Sequence, residues 1–166
     1  MVEITLDLLR GRAEHNEKML SNLEEISLHQ QNLGSMKTLQ DYCRFLRIIL
    51  FQNNLIEKIE GCNKLKDLEY INFAVNSIGK IEGLRRCESL RKLDLTLNFI
   101  DVEDFKESLE ELEWNPDMSE LYLMGNPCLD YINSKEYVYA KVPGINRLDG
   151  IEVTRAMKLA AKQKLP

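Results

Sequence analysis

Residues 46–100 contain three copies of one phrase: LRIILFQNNLI from Leu46, LEYINFAVNSI from Leu68 and LRKLDLTLNFI from Leu90. Aligned on Asn54, Asn76 and Asn98, all three follow L-x-x-[IL]-x-[FL]-x-x-N-x-I, with a period of 22 residues. Apolar residues two apart, such as Ile71 and Phe73, alternate with residues suited to solvent, which is the period of a short strand buried on one face. The asparagine falls where the chain must turn. Its amide carries both a donor and an acceptor for backbone groups that the turn leaves unpaired.

This pattern at this period is the signature of leucine-rich repeats. A single repeat cannot cover its own apolar face, but stacked neighbours can, so the fold must be a row of repeats. The sequence predicts an α/β solenoid of 22-residue leucine-rich repeats with a parallel sheet on the concave side and helical or irregular segments on the outer wall. LEEISLHQQNL (23–33) is an atypical first repeat with Gln31 in the asparagine position, and MSELYLMGNPC (118–128) is the last, carrying Asn126. Asn54, Asn76, Asn98 and Asn126 are expected to be a structural ladder.

The chain divides into a leucine-rich repeat domain over 1–150 and a basic helical tail over 151–166. Within the domain, 4–20 is expected to be an N-terminal cap helix, with Thr5 as N-cap and Leu6, Leu9 and Ala13 as its apolar stripe. Five repeats occupy about 23–128, and 129–150 forms the C-terminal cap, with Asp149-Gly150 as its turn. Asn98 and Asn126 are 28 residues apart, so one repeat carries an insertion, DVEDFKESLEELEWNPD (101–117), with eight acidic residues and one lysine. Phe105, Leu109 and Leu112 recur at helical spacing, Pro116 ends the helix, and Trp114 is expected to pack on the core. In the tail, Arg155, Lys158, Lys162 and Lys164 stand against Glu152. Surface ion pairs are worth only about 0–1 kcal/mol, so tail and insertion are expected to meet separate partners rather than each other.

Composition narrows the function. The 166 residues are 44% hydrophobic and 30% charged with net charge −5, ordinary for a soluble domain and lacking the basic stripe of a nucleic-acid surface. No signal peptide is visible near the start, and the longest apolar run, Ile48–Phe51, is too short for a membrane span. Cys43, Cys62, Cys87 and Cys128 match no zinc spacing and read as buried, reduced thiols, with Cys62 and Cys87 expected at equivalent outer-wall positions. His29 and His15 have no nucleophile or acid beside them, and there is no glycine-rich phosphate loop, so neither an enzyme nor a cofactor or metal site is expected.

Several stretches carry a resemblance. ITLDLLRGRAEHNEKML, LEEISLHQQ, FQNNLIEKIE, LDLTLNFI and LYLMGNPC together resemble dynein axonemal assembly factors of the touch-insensitive-larva-B type, over about residues 2–152. RAEHNE and SLHQQ are the discriminating pieces, since NxIxxIxG is shared by many 22-residue-repeat proteins. The resemblance implies a non-enzymatic cytoplasmic factor in the preassembly of dynein arms for motile cilia or flagella, with other assembly factors and chaperone complexes as partners. It also implies a charged helical region and a p23-like domain beyond Pro166. The alternative is a regulatory leucine-rich repeat subunit of a phosphatase or a ribonucleoprotein complex.

Residues between the core positions of each strand point away from the core. Across the stack they form the rows Glu25, Ile48, Tyr70, Lys92, Glu120 and Ser27, Leu50, Asn72, Asp94, Tyr122, followed by His29, Gln52, Ala74, Thr96, Met124. Ile48, Leu50, Tyr70 and Tyr122 give an apolar and aromatic centre, with charged residues expected at its border, the layout of a partner-binding surface. The candidate partner site is therefore Ile48, Leu50, Tyr70, Asn72, Lys92, Asp94, Tyr122 and Met124.

Overall fold

The computed structural model describes residues 1–165. Each copy of the phrase makes a three-residue strand: β1 (Glu25–Ser27), β2 (Ile48–Leu50), β3 (Tyr70–Asn72), β4 (Lys92–Asp94) and β5 (Glu120–Tyr122). They pair in parallel in chain order. A two-residue strand β6 (Arg147–Leu148) extends the sheet in parallel, and β7 (Ile151–Glu152) turns back antiparallel to close it. The middle residues Ile26, Ile49, Ile71, Leu93 and Leu121 stack without exposure, as do Leu28, Phe51, Phe73, Leu95 and Leu123 two positions on. Each such side chain contributes about 1.5–3 kcal/mol by leaving water. Phe51 and Phe73 lie ring on ring at 5.8 Å, so the two phenylalanines pair where leucine closes the next rung.

The asparagines join the rungs. Asn54 Nδ2 donates to the carbonyls of Leu28 and Phe51, Asn76 to those of Phe51 and Phe73, Asn98 to Phe73 and Leu95, and Asn126 to Leu95 and Leu123. Phe51, Phe73 and Leu95 thus each accept from two successive amides. On the other side each Oδ1 accepts backbone N–H groups: Gln31 and Leu33 for Asn54, Ile56 for Asn76, Ile78 for Asn98 and Ile100 for Asn126. The residue before each asparagine is left-handed: Asn53 (φ 59°), Val75 (57°), Leu97 (56°) and Gly125 (82°).

The ends differ from the sequence expectation in three places. The cap helix α1 covers only Leu6–Gly11, begun by the Thr5 hydroxyl accepting from Leu8 N–H. A short 3-10 turn (Glu14–Asn16) and left-handed Glu17 and Lys18 replace the rest of the helix expected over 4–20. Ala13 is buried, as its place on the apolar stripe predicts, and Arg12 turns onto the Ser27 carbonyl. After a one-turn helix α2 (Leu39–Tyr42) in the first repeat, the insertion forms α3 (Val102–Glu111), capped by Asp101 and burying Phe105 and Leu109. Trp114, expected on the core, is 56% exposed with the Arg85 guanidinium 5.1 Å from its ring, because Leu112 fills the inward position instead. The last helix, α5 (Arg155–Lys164), expected to be free for a separate partner, lies on α4 (Ser134–Lys141). Val153 and Ala161 are buried there, and Lys164 reaches Glu136 at 3.1 Å, so apolar contact and not charge alone seats it. Pro166, the last residue of the expected tail, lies outside the described residues.

All four cysteines are free and buried. Cys62 and Cys87 are not equivalent as expected: 25 residues separate them, whereas the strands repeat every 22. They are neighbours instead, the Cys87 thiol donating to the Cys62 carbonyl.

Candidate functional site: the concave face

The strand register sets Glu25, Ile48, Tyr70, Lys92, Glu120 and Arg147 side by side, and Ser27, Leu50, Asn72, Asp94 and Tyr122 in the next row. Ile48, Leu50, Tyr70, Asn72, Lys92, Asp94 and Tyr122 are all half-buried, while Met124 is 58% exposed. Lys92 sits within the aromatic group rather than at its border. Its ammonium is 4.6 Å from the Tyr70 ring and 5.7 Å from the Tyr122 ring, with Glu120 at 3.9 Å. A cation over two ring faces is attracted by their quadrupoles, so a residue read as rim is part of the centre.

The surrounding polar groups fix the two tyrosines. Asn72 Nδ2 donates to the Tyr70 hydroxyl at 2.9 Å while its Oδ1 accepts from Ala74 N–H. The Tyr122 hydroxyl donates to Glu120 at 3.3 Å. Asp94 turns inward to accept from Thr96 N–H and hydroxyl. Burial raises both phenols above their ordinary pKa, so both stay neutral donors at any physiological pH. Rotamers held this way lose little further entropy on binding.

Two features escaped the sequence reading. A row of alternating charge, Glu24, Arg47, Glu69 and Arg91, runs along the strand starts: Arg47 reaches Glu24 at 3.9 Å and bonds Glu69, and Arg91 meets Glu69 at 3.2 Å. The signal was present as sign changes at one-repeat spacing. A recess of about 290 Å³ opens between this row and the strands, lined by Arg47, Ile48, Tyr70, Arg91, Lys92 and Glu120. At the other end Arg12 closes over β1, its Nε donating to Ser27 O at 2.6 Å and its guanidinium 3.2 Å from His29 Nδ1. No spacing rule would have paired Arg12 with His29.

Asp149, in the C-terminal cap, is left-handed (φ 49°), and its Oδ1 accepts from Leu123 N–H at 2.7 Å and Met124 N–H at 2.9 Å. It satisfies the backbone at the end of β5 from the cap, and is not a further rung of the asparagine ladder. Among the described residues no group of three or more His, Cys, Asp or Glu side chains is placed to hold a metal, and no helix is long and apolar enough to cross a membrane.

Comparison with solved structures shows the same architecture. A chain of the Drosophila melanogaster SNF/U2A′ complex superposes with a TM-score of 0.82 at 22% identity, over 98% of this chain and 92% of that one. A leucine-rich repeat protein of Leptospira interrogans superposes with a TM-score of 0.65 at 17% identity, over 89% and 34%. No protein-family model matches the chain. Among its sequence relatives, dynein axonemal assembly factor 11 of Danio rerio is 52% identical over 99% of this chain and 37% of its own length. Protein tilB of Drosophila melanogaster is 50% identical over 99% and 41%, and dynein axonemal assembly factor 11 of Trypanosoma brucei brucei is 48% identical over 98% and 42%. The chain therefore spans about two fifths of the length of these relatives and is, along nearly its whole length, homologous to the dynein axonemal assembly factor 11 and tilB proteins.

Proposed function

We propose that this solenoid is a non-enzymatic scaffold acting in the cytoplasmic preassembly of axonemal dynein arms for motile cilia or flagella. The identity of about half of all residues to proteins named as dynein axonemal assembly factors carries this reading. A phosphatase-regulatory or ribonucleoprotein role rests on shared fold alone and is not favoured. Other assembly factors and chaperone complexes are the partners, and the concave face is where they dock. Ile48, Leu50, Tyr70, Asn72, Lys92, Asp94, Tyr122 and Met124 form the contact. Supporting it, the cluster holds two tyrosines in place around a lysine, and tyrosine is enriched among the anchors of protein interfaces.

The test is a pull-down of assembly factors and chaperones from a ciliated cell with wild type and a Tyr70→Ala/Lys92→Glu double variant. Binding by the wild type and at least tenfold less by a variant that melts normally supports the reading. Equal recovery with both removes the concave face as the site, and recovery of phosphatase or spliceosomal proteins instead overturns the functional reading.

A further inference from the structure

The turns after β3 and β4 hold apolar side chains where the backbone disfavours them. Val75 and Leu97 are left-handed, at φ 57° and 56°, yet 42% and 54% exposed. A left-handed conformation crowds the Cβ of any L-residue, most of all a β-branched one. Asparagine and glycine relieve that cost, and this chain uses them at the same place on other rungs, as Asn53 and Gly125. In the free chain Val75 and Leu97 are therefore unfavourable twice over, by backbone strain and by exposed apolar surface. Both costs are offset if something covers them.

These residues make one ridge. Val75 N–H bonds to the Thr96 carbonyl and Leu97 N–H to that of Met124, so Val75, Leu97 and Met124 stand on three adjacent rungs. The Leu97 side chain lies across Gly125, where any Cβ would be 2.5 Å from its Cδ2. Phe99, 63% exposed, and Val102, 39%, continue the ridge to the N-terminus of α3. There Glu103, Asp104 and Glu107 have no salt-bridge partner among the described residues.

Spacing and charge select the occupant. Rungs are about 4.8 Å apart, a helix repeats every 5.4 Å or so, and a strand presents one face about every 6.7 Å. Over two steps a helix laid along the ridge drifts by roughly 1 Å and a strand by roughly 4 Å. We propose that this edge is a second docking surface, for an amphipathic helix of a partner protein. The helix sets one apolar residue per turn on Val75, Leu97 and Met124, and its lysines or arginines face Glu103, Asp104 and Glu107. The surface is separate from the concave centre, and only Met124 belongs to both.

The probe is a fluorescent synthetic peptide with leucine once per helical turn and lysines beside it, titrated into the full chain by anisotropy. The key variant is Val75→Asn/Leu97→Asn/Phe99→Ser, which copies residues this chain already uses on other rungs as Asn53 and Ser77 and so keeps the fold. Expected are salt-sensitive binding by the wild type, at least tenfold weaker binding by the triple variant, loss of the salt dependence in Glu103→Gln/Asp104→Asn/Glu107→Gln, and wild-type affinity in Tyr70→Ala/Lys92→Glu. Equal affinity of the triple variant and wild type overturns the proposal, as does no binding by the wild type. Loss of binding in the concave variant alone places the peptide there and also overturns it. Concentration-dependent self-association of the wild type, abolished by the triple variant, would make a second copy the occupant and refute the assignment to a partner helix.

Discussion

Replacing Asn76 by alanine tests the ladder at an inner rung. Four contacts vanish: Nδ2 to the Phe51 and Phe73 carbonyls, both 3.0 Å, Nδ2 to the Ala74 carbonyl at 3.5 Å, and Ile56 N–H to Oδ1 at 2.9 Å. Their consequences differ. Phe51 O still accepts from Asn54 at 2.8 Å, and Phe73 O from Asn98 at 2.9 Å. Ile56 N–H has no other acceptor and cannot reach water. An orphaned buried amide costs about 1–3 kcal/mol, and the two thinned carbonyls add about 0.5 kcal/mol each, for a total of roughly 2–4 kcal/mol. At the usual conversion for a chain of this size the melting temperature falls by roughly 5–15 °C. Urea unfolding followed by circular dichroism reads the change, with exposed Asn63→Ala as a control expected to stay within about 0.5 kcal/mol. Asn76→Asp sharpens the test: the acceptor for Ile56 survives, but a buried carboxylate faces two carbonyls. Its instability should be largest at neutral pH and shrink as acid protonates it. An unfolding midpoint for Asn76→Ala equal to that of the wild type would refute the ladder as a source of stability.

Removing residues 154–166 should cost about 2–4 kcal/mol, because the buried Ala161 and the half-buried Met157 go with the helix and Val153 loses its cover; an unchanged melt would show that α5 adds nothing to the fold. Asp149→Ala orphans the Leu123 and Met124 amides and forces alanine into a left-handed turn, so hydrogen exchange should quicken over 118–126, while Asp149→Asn should do so far less. Val75→Asn alone should raise stability by about 1 kcal/mol, read by urea titration, by relieving a β-branched residue at φ 57°. The thiols of Cys43 and Cys128 are pushed up by burial to about 11 and about 12, so neither should react with a thiol reagent at pH 8 until the chain unfolds. Because those folded pKa values are raised, the stability they carry is whole below the ordinary thiol range and is lost as pH climbs through it toward 11 and 12.

The solenoid was legible because its information is periodic. Ile71 and Phe73 recur in register on every rung, and no tertiary detail is needed to see that they face one core. The ends were less legible because nothing repeats there. Nothing in ITLDLLRGRAEHNEKML announces that Arg12 leaves the helix for the Ser27 carbonyl. The tail misled for a related reason: its lysines dominate the sequence, whereas Val153 and Ala161, small and isolated, are what seat it. At the concave face the rows followed from alternation alone. That Lys92 lies between Tyr70 and Tyr122 depended on side-chain directions that spacing does not encode.

The Glu24, Arg47, Glu69, Arg91 row has a consequence for how such a protein can change its length. In shape the solenoid repeats every rung, but along this row its charge repeats every second one. Loss of one 22-residue unit, residues 69–90, would leave every apolar layer able to close while seating Arg47 beside Arg91. Loss of two units together would keep opposite signs in contact. Insertions obey the same parity, so only paired changes in repeat number keep the signs of this row alternating, and a chain with one rung too few carries a mark of its misalignment on the outside.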